Sequence, residues 1–220
     1  QGRIPIFEPF LDQMVARQVR AGRLRFAQHL AEGVGSYRVA FICVGTPPLE
    51  NGEADLSSVE GVVRRLAETG EGPQLIVEKS TVPVQTGLWI EKMLQLYGQG
   101  ETGRFAVASN PEFMREGSAV EDFLHPDRIV IGVERPEAAE LLRALYDPVI
   151  RGTFRCPVHE ACPRREVPLL VTDITSAELI KHASNSFLAT KISYINLIAD
   201  LCERVGADVL KGAEGMGLDR

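Results

Sequence analysis

Short apolar runs rich in β-branched residues alternate along this chain with longer stretches of helical period. Val39-Ala-Phe-Ile-Cys-Val44 reads as a buried strand, Val59 to Leu66 as a helix, Leu75-Ile-Val77 as a strand and Leu88 to Leu96 as a helix. The cycle repeats with strands at Phe105-Ala-Val-Ala108 and Ile129-Val-Ile131 and a helix from Pro136 to Tyr146, where proline sits at a helix start. Continuously apolar strands separated by helices predict an α/β fold, a doubly wound, mostly parallel sheet covered on both faces. Ligands of such sheets bind beyond the carboxyl ends of the strands, so the loops after Val44, Lys79, Ser109 and Gly132 are the places to look.

The second half is organised differently. Arg151 to Pro168 is rich in proline and charge and reads as a surface connection. From Asp173 a helical pattern continues to Val205, with Asp173 or Thr175 as its N-cap and Gly206 as its stop. A helix of roughly 30 residues exceeds the usual globular length, which predicts that it bridges domains or subunits. The expected organisation is one sheet domain over residues 1–172, then the long helix opening a helical domain over 173–220.

Composition narrows the function classes. Of 220 residues, 45% are hydrophobic and 25% charged, ordinary for a soluble globular protein, and no apolar run approaches the roughly 20 residues of a membrane span. A net charge of -6, without interleaved basic and aromatic residues, argues against a nucleic-acid partner. It does not exclude a phosphate-bearing ligand held by backbone N–H groups. The four cysteines do not form a disulfide framework for a chain this long, so a reducing cytoplasm is expected. No secretory signal opens the chain, and the missing initiator Met places the expected start upstream.

Several segments carry candidate chemistry. Phe41-Ile-Cys-Val-Gly-Thr-Pro-Pro48 runs from a strand into a turn where Gly45 permits a ligand to approach backbone and Thr46 offers a hydroxyl. Ser80 and Thr81 lie at a strand end before a helix expected to begin near Pro83; they either cap that helix or face an anionic ligand there. Glu112 and Glu116, four residues apart, suit an acid and base pair or a solvated helix start. Asp127 and Arg128 read as a structural pair. Lys181 and Asn185, one helical turn apart in an apolar context, put an ammonium and an amide on one helix face, a clamp for a developing oxyanion. His182 serves the same site or helix packing. Cys156, His159 and Cys162 suggest a zinc site, but a tetrahedral ion needs a fourth ligand and no second cluster supplies one. A loop insertion is the preferred reading, and no metal is assigned.

Glu78-Lys-Ser-Thr-Val-Pro-Val-Gln-Thr86, Ser109-Asn-Pro-Glu-Phe-Met-Arg-Glu-Gly-Ser118, Pro126-Asp-Arg-Ile-Val-Ile-Gly132 and the Lys181/Asn185 helix, in this order, resemble the nucleotide-sugar dehydrogenases. The likeness runs from Pro5-Ile-Phe-Glu-Pro9 to Gly206-Ala-Asp-Val209. It implies a Rossmann-like sheet lacking its first βαβ unit, NAD as cofactor, a nucleotide-sugar substrate and a homodimer formed through the long helix. The implied reaction is the four-electron oxidation of a sugar primary alcohol to a carboxylate with two NAD molecules in succession. UDP-glucose is the implied substrate, GDP-mannose the alternative, and a non-catalytic nucleotide-binding or dimerisation module the reading from another class.

Residue by residue, the resemblance assigns Val44, Gly45, Thr46, Ser80, Thr81 and Glu116 to the cofactor. It assigns Thr81, Glu112, Lys181 and Asn185 to catalysis. Glu112, Phe113, Met114, Arg115, Lys181 and Asn185 go to the substrate, with the Phe113–Arg115 turn gripping through backbone. The Gly-x-Gly-x-x-Gly turn for the pyrophosphate and the nucleophilic cysteine of a Gly-Gly-Ser-Cys-like segment are expected outside the 220 residues, leaving this stretch inactive by itself. Two positions depart from the family pattern. Gln85 stands where glycine is usual, tolerable in a helix. Leu197 stands where glutamate is frequent, which reads as altered helix packing.

Overall fold

The computed structural model describes residues 4–30, 37–68, 75–98, 105–162 and 166–218. Five strands lie side by side in sequence order: β1 (Val39–Ile42), β2 (Leu75–Glu78), β3 (Ala106–Ser109), β4 (Ile129–Val133) and β5 (Leu169–Thr172). Helices α1 (Leu11–Arg20), α2 (Ser57–Glu68), α3 (Thr86–Tyr97), α4 (Ala119–Leu124), α5 (Pro136–Ile150), α6 (Ile174–Val205) and α7 (Val209–Gly217) complete the secondary structure. The chain divides into two compact units, residues 1–179 and 180–220, with the boundary inside α6.

Strand alternation builds a core on each face of the sheet. Ile76 of β2 and Val107 of β3 join Val59, Val63 and Leu66 of α2 and Ile90 and Leu94 of α3. Their neighbours Leu75, Val77 and Ala108 point the other way, into a cluster with Ile129, Ile131, Leu142, Tyr146 and Ile150. Period-two side-chain direction turns a continuously apolar run into two half-cores, as a sheet covered on both faces requires.

Three expectations need correction. β1 is only partly buried: it is the first of the described strands in the sheet order, with Ile42 1% exposed and Phe41 36%. β4 is antiparallel to β3, with Ala108 opposite Val133 and Ser109 opposite Gly132. The chain after Gly132 therefore leads away from the carboxyl ends of β1 to β3, and the residues entering β4 lie at that edge instead. An apolar run carries no sign of its direction. Third, the helix expected near Pro83 begins at Thr86, because Gln85 takes a left-handed conformation with φ of 76°. β5, α1 and α4 were not anticipated.

The long helix matches its expected limits. Asp173 accepts from the Ser176 N–H at 2.7 Å, and these hydrogen bonds hold its carboxyl below the usual range. At the far end Gly206 has φ of 74° and the Ala207 N–H returns to the Cys202 carbonyl at 3.0 Å, the left-handed closure by which helices stop.

Candidate functional site

The carboxyl ends of β1, β2 and β3 are tied into one edge by short polar contacts. The Ser80 hydroxyl accepts from the Val44 N–H at 3.0 Å and donates to the Ile42 carbonyl at 3.3 Å. The Thr46 hydroxyl donates to the Thr81 carbonyl at 2.7 Å. Ser80 therefore braces the β1 turn, and it does not cap α3, whose N-cap Gln85 carries no side-chain cap. Val44, Gly45, Thr46, Ser80 and Thr81, predicted from separate segments, are brought together. A Cβ built on Gly45 meets nothing within 4 Å, so the face of this turn is open. Because Gly45 lets a ligand approach the backbone at a strand end, this braced, open edge fits a dinucleotide.

Behind this edge lies a polar knot that the sequence reading missed. Asn110 is 1% exposed and donates to the Val130 carbonyl at 2.8 Å. Its side-chain oxygen accepts from Tyr146 at 2.5 Å and Lys79 at 3.1 Å. Its backbone N–H reaches the Glu78 carbonyl at 2.8 Å. One amide thus locks β2, β3, β4 and α5 just below the site, and burial pushes the Tyr146 hydroxyl up to about 12.

The turn after β3 is already folded on itself. Glu112 accepts from the Met114 N–H at 2.6 Å, and Asp122 takes both the Arg115 N–H at 2.7 Å and its guanidinium at 2.7 Å. A ligand using either N–H displaces a carboxylate. Glu116 is exposed and is not brought to Glu112 by any contact described. Glu8 holds the end of the turn, accepting from the Gly117 and Ala119 N–H groups at 2.7 and 3.1 Å. Arg128, expected to pair with Asp127, places its guanidinium 3.7 Å from the centre of the Phe113 ring.

Two buried carboxylates form a second feature absent from the sequence reading. Glu178, 2% exposed, accepts from the Gln85 N–H at 2.5 Å and the Gly87 N–H at 2.7 Å, so its charge sits on the N-terminus of α3. Glu78, 1% exposed, accepts from the Ser80 N–H at 2.6 Å while its other oxygen has no partner. Burial, with the nearby charge of Glu178, lifts Glu78 to about 7 against the hydrogen bonds from Ser80. The sequence signal for Glu178 was a carboxylate between Ala177 and Leu179-Ile180 near the start of the long helix.

In the second unit Lys181 is 6% exposed, while Asn185, one turn later on α6, is exposed. Leu197 is 64% exposed on α6.

Residues 1–150 match the NAD binding domain of the UDP-glucose/GDP-mannose dehydrogenase family, and residues 175–220 match its central domain. Over 225 residues the chain is 46% identical to UDP-glucose 6-dehydrogenase of Rhizobium meliloti (strain 1021), covering all of this chain and 47% of that protein. It is 43% identical to UDP-glucose 6-dehydrogenase TuaD of Bacillus subtilis (strain 168), covering 99% of this chain and 44% of that one. Among solved structures, a UDP-glucose dehydrogenase from Pyrobaculum islandicum superposes with a TM-score of 0.85 at 40% identity, covering 99% of this chain and 47% of that chain. A GDP-mannose dehydrogenase from Pseudomonas aeruginosa gives 0.87 at 28% identity, covering 100% and 48%. The chain spans about half the length of the curated relatives it matches. Two family domains matched in order, relatives above 40% identity and the shared fold together place this chain in the UDP-glucose/GDP-mannose dehydrogenase family.

Proposed function

We propose that this chain forms the cofactor-binding and alcohol-activating part of an NAD-dependent nucleotide-sugar 6-dehydrogenase that converts UDP-glucose to UDP-glucuronate. The observation that carries the reading is Lys181, an ammonium only 6% exposed on a helix whose next turn bears Asn185. A cation withdrawn from water is held at considerable expense of solvation, and it is worth most where negative charge develops in a reaction. Identity of 40–46% to UDP-glucose enzymes, against 28% to a GDP-mannose enzyme, favours the uridine sugar.

In this reading Val44, Gly45, Thr46, Ser80, Thr81 and Glu116 hold NAD, which accepts hydride when bound. Thr81 presents a water that takes the alcohol proton. Lys181 and Asn185 donate to the alkoxide and to later tetrahedral oxyanions. Glu112 manages water and protons once it leaves the Met114 N–H, and Phe113, Met114 and Arg115 position the sugar nucleotide. The exposed apolar residues Phe187, Leu188, Ile192, Leu201 and Val205 of α6 serve a homodimer. Four cysteines with no disulfide among them suit the reducing cytoplasm, where acidic sugar donors for polysaccharides are made.

The test is NADH formation by the protein that carries this chain, with UDP-glucose and NAD. The expected yield is two NADH per sugar, and Lys181→Ala lowers kcat by about 10²–10³-fold with KM much less changed. Binding of NAD without turnover of any nucleotide sugar would leave a non-catalytic binding module. Turnover of GDP-mannose in preference to UDP-glucose would move the substrate to the other branch of the family.

A further inference from the structure

Between Ile150 of α5 and Val167 before β5 the chain makes an excursion closed at its neck by the Val167 N–H on the Ile150 carbonyl at 3.0 Å. Its described residues, 151–162 and 166, form no helix or strand, and loops this long are uncommon in compact domains and need something to order them. Apolar burial does not supply it, because no described residue from Arg151 to Glu166 is buried. What the excursion does contain is Cys156, His159 and Cys162, a set one ligand short of a tetrahedral site when read along the sequence. The fold supplies the fourth from elsewhere. His125, directly after α4, lies with these three so that one ligand atom from each falls within 4.8 Å of the others.

Three of the six edges of this set have the spacing of a coordination shell, and the others lie within 4.8 Å. Nε2 of His125 is 3.2 Å from Sγ of Cys156 and 3.7 Å from Sγ of Cys162, and Sγ of Cys156 is 3.6 Å from Nδ1 of His159. With Zn–S near about 2.3 Å and Zn–N near about 2.0–2.1 Å, the edges of a tetrahedron are about 3.3–3.8 Å. The outer contacts agree. The His159 N–H donates to Sγ of Cys156 at 3.3 Å, as backbone N–H groups do to a coordinated sulfur. The ring nitrogen of His159 that faces away from the cluster, Nε2, lies 3.3 Å from Oε1 of Glu121 on α4. A carboxylate there fixes the tautomer and leaves Nδ1 free to ligate. Two sulfurs and two imidazoles, with no carboxylate among the four, select zinc over magnesium or calcium.

We propose that His125, Cys156, His159 and Cys162 bind one structural Zn²⁺ ion that staples the 151–166 excursion to the end of α4. All four positions are taken by protein, so the ion is closed to substrate. Coordination takes both cysteines as thiolates and both histidines as neutral rings, and any thiol protons released pass to solvent. Because α4 also carries Asp122, which grips Arg115, the staple braces the turn that follows β3 from behind.

The full chain, purified under reductant without a metal-affinity step, is expected to hold about one zinc per chain by elemental mass spectrometry. A zinc chelator is expected to lower its melting temperature. After zinc is exchanged for Co²⁺, intense d–d bands of tetrahedral coordination and a sulfur-to-cobalt charge-transfer band are expected. Cys156→Ser and His125→Ala abolish both signals, while Cys43→Ser and Cys202→Ser keep them. If the ligand variants do not fold, the Co²⁺ spectrum of the unaltered chain decides alone. Metal-free protein that takes up Co²⁺ without those bands overturns the proposal. So does a Cys156–Cys162 disulfide in protein that never held metal, or zinc retained by Cys156→Ser.

Discussion

Within the single helix α6, Ile174, Ala177 and Glu178 are at most 2% exposed, whereas Phe187, Leu197 and Val205 are 66, 64 and 68% exposed. Hydrophobicity does not divide the two stretches, since the buried one contains a glutamate and a lysine and the exposed one carries large apolar residues. The difference lies in what each stretch meets inside its own unit. The first turn lies against two glycines that leave it room. A Cβ on Gly132 of β4 would stand 2.6 Å from Cβ of Ala177 and 2.7 Å from both the Asp173 carbonyl and Cα of Ile174. A Cβ on Gly87 of α3 would stand 2.4 Å from Cγ2 of Ile174. Absent side chains on a strand and a helix let the start of the long helix, capped by Asp173, pack this closely, and Glu178 is buried as a consequence.

The largest expected effect therefore comes from filling that space. At Gly132 two of the three clashing atoms are backbone, so no rotamer change relieves them and the start of α6 must move. Gly132→Ala is expected to destabilise the chain by about 3 kcal/mol, read as a lower urea midpoint. Gly45→Ala, whose Cβ meets nothing, is the control and should stay within about 0.5 kcal/mol of the parent. Equal effects at the two glycines would sink the claim that close approach seats the start of the helix.

A smaller effect tests the charge that this packing buries. Glu78 titrates near 4.5 in its ordinary state and near 7 when folded, so the folded chain binds more protons between those values. Stability is then greatest below about 4.5 and falls as pH rises through about 7, by at most about 3 kcal/mol from this group. Glu78→Gln keeps an acceptor for the Ser80 N–H and removes the titration. Its urea midpoint should vary less between about pH 5 and about pH 8 than that of the parent. An unchanged pH slope would mean that Glu78 is ionised throughout.

How much of this was legible in the sequence follows from range. The limits of α6 were readable because Asp173 and Gly206 act on their own neighbours through local hydrogen bonds. The strand-end residues Val44, Thr46, Ser80 and Thr81 were readable because they stand at or just beyond the ends of apolar runs. The direction of β4 was not, since its apolar run reads the same both ways. His125 was not, because it stands 31 residues from Cys156, and only the packing of α4 against the excursion joins them. Glu178 was visible as a charge out of place, but its partners Gln85 and Gly87 lie more than 90 positions away.

Gln85 shows how a local reading fails when the backbone answers to a distant contact. Helix propensity made glutamine acceptable where the resemblance led us to expect glycine, yet the residue lies just outside α3 at φ 76° and ψ 8°. There a Cβ crowds the backbone, and an L-residue other than glycine loses about 1–2 kcal/mol. The conformation persists because the Gln85 N–H is aimed at Glu178, which also holds Gly87. Only the backbone of residue 85 is used, so Gln85→Gly keeps both hydrogen bonds and removes the crowding. The looser unfolded chain offsets part of the gain, leaving a net stabilisation of about 1 kcal/mol in the urea midpoint. Gln85→Ala retains the Cβ and should give none of it. If alanine stabilised as much as glycine, the benefit would come from losing the glutamine side chain, and the first turn of α6 would not be what holds residue 85 left-handed.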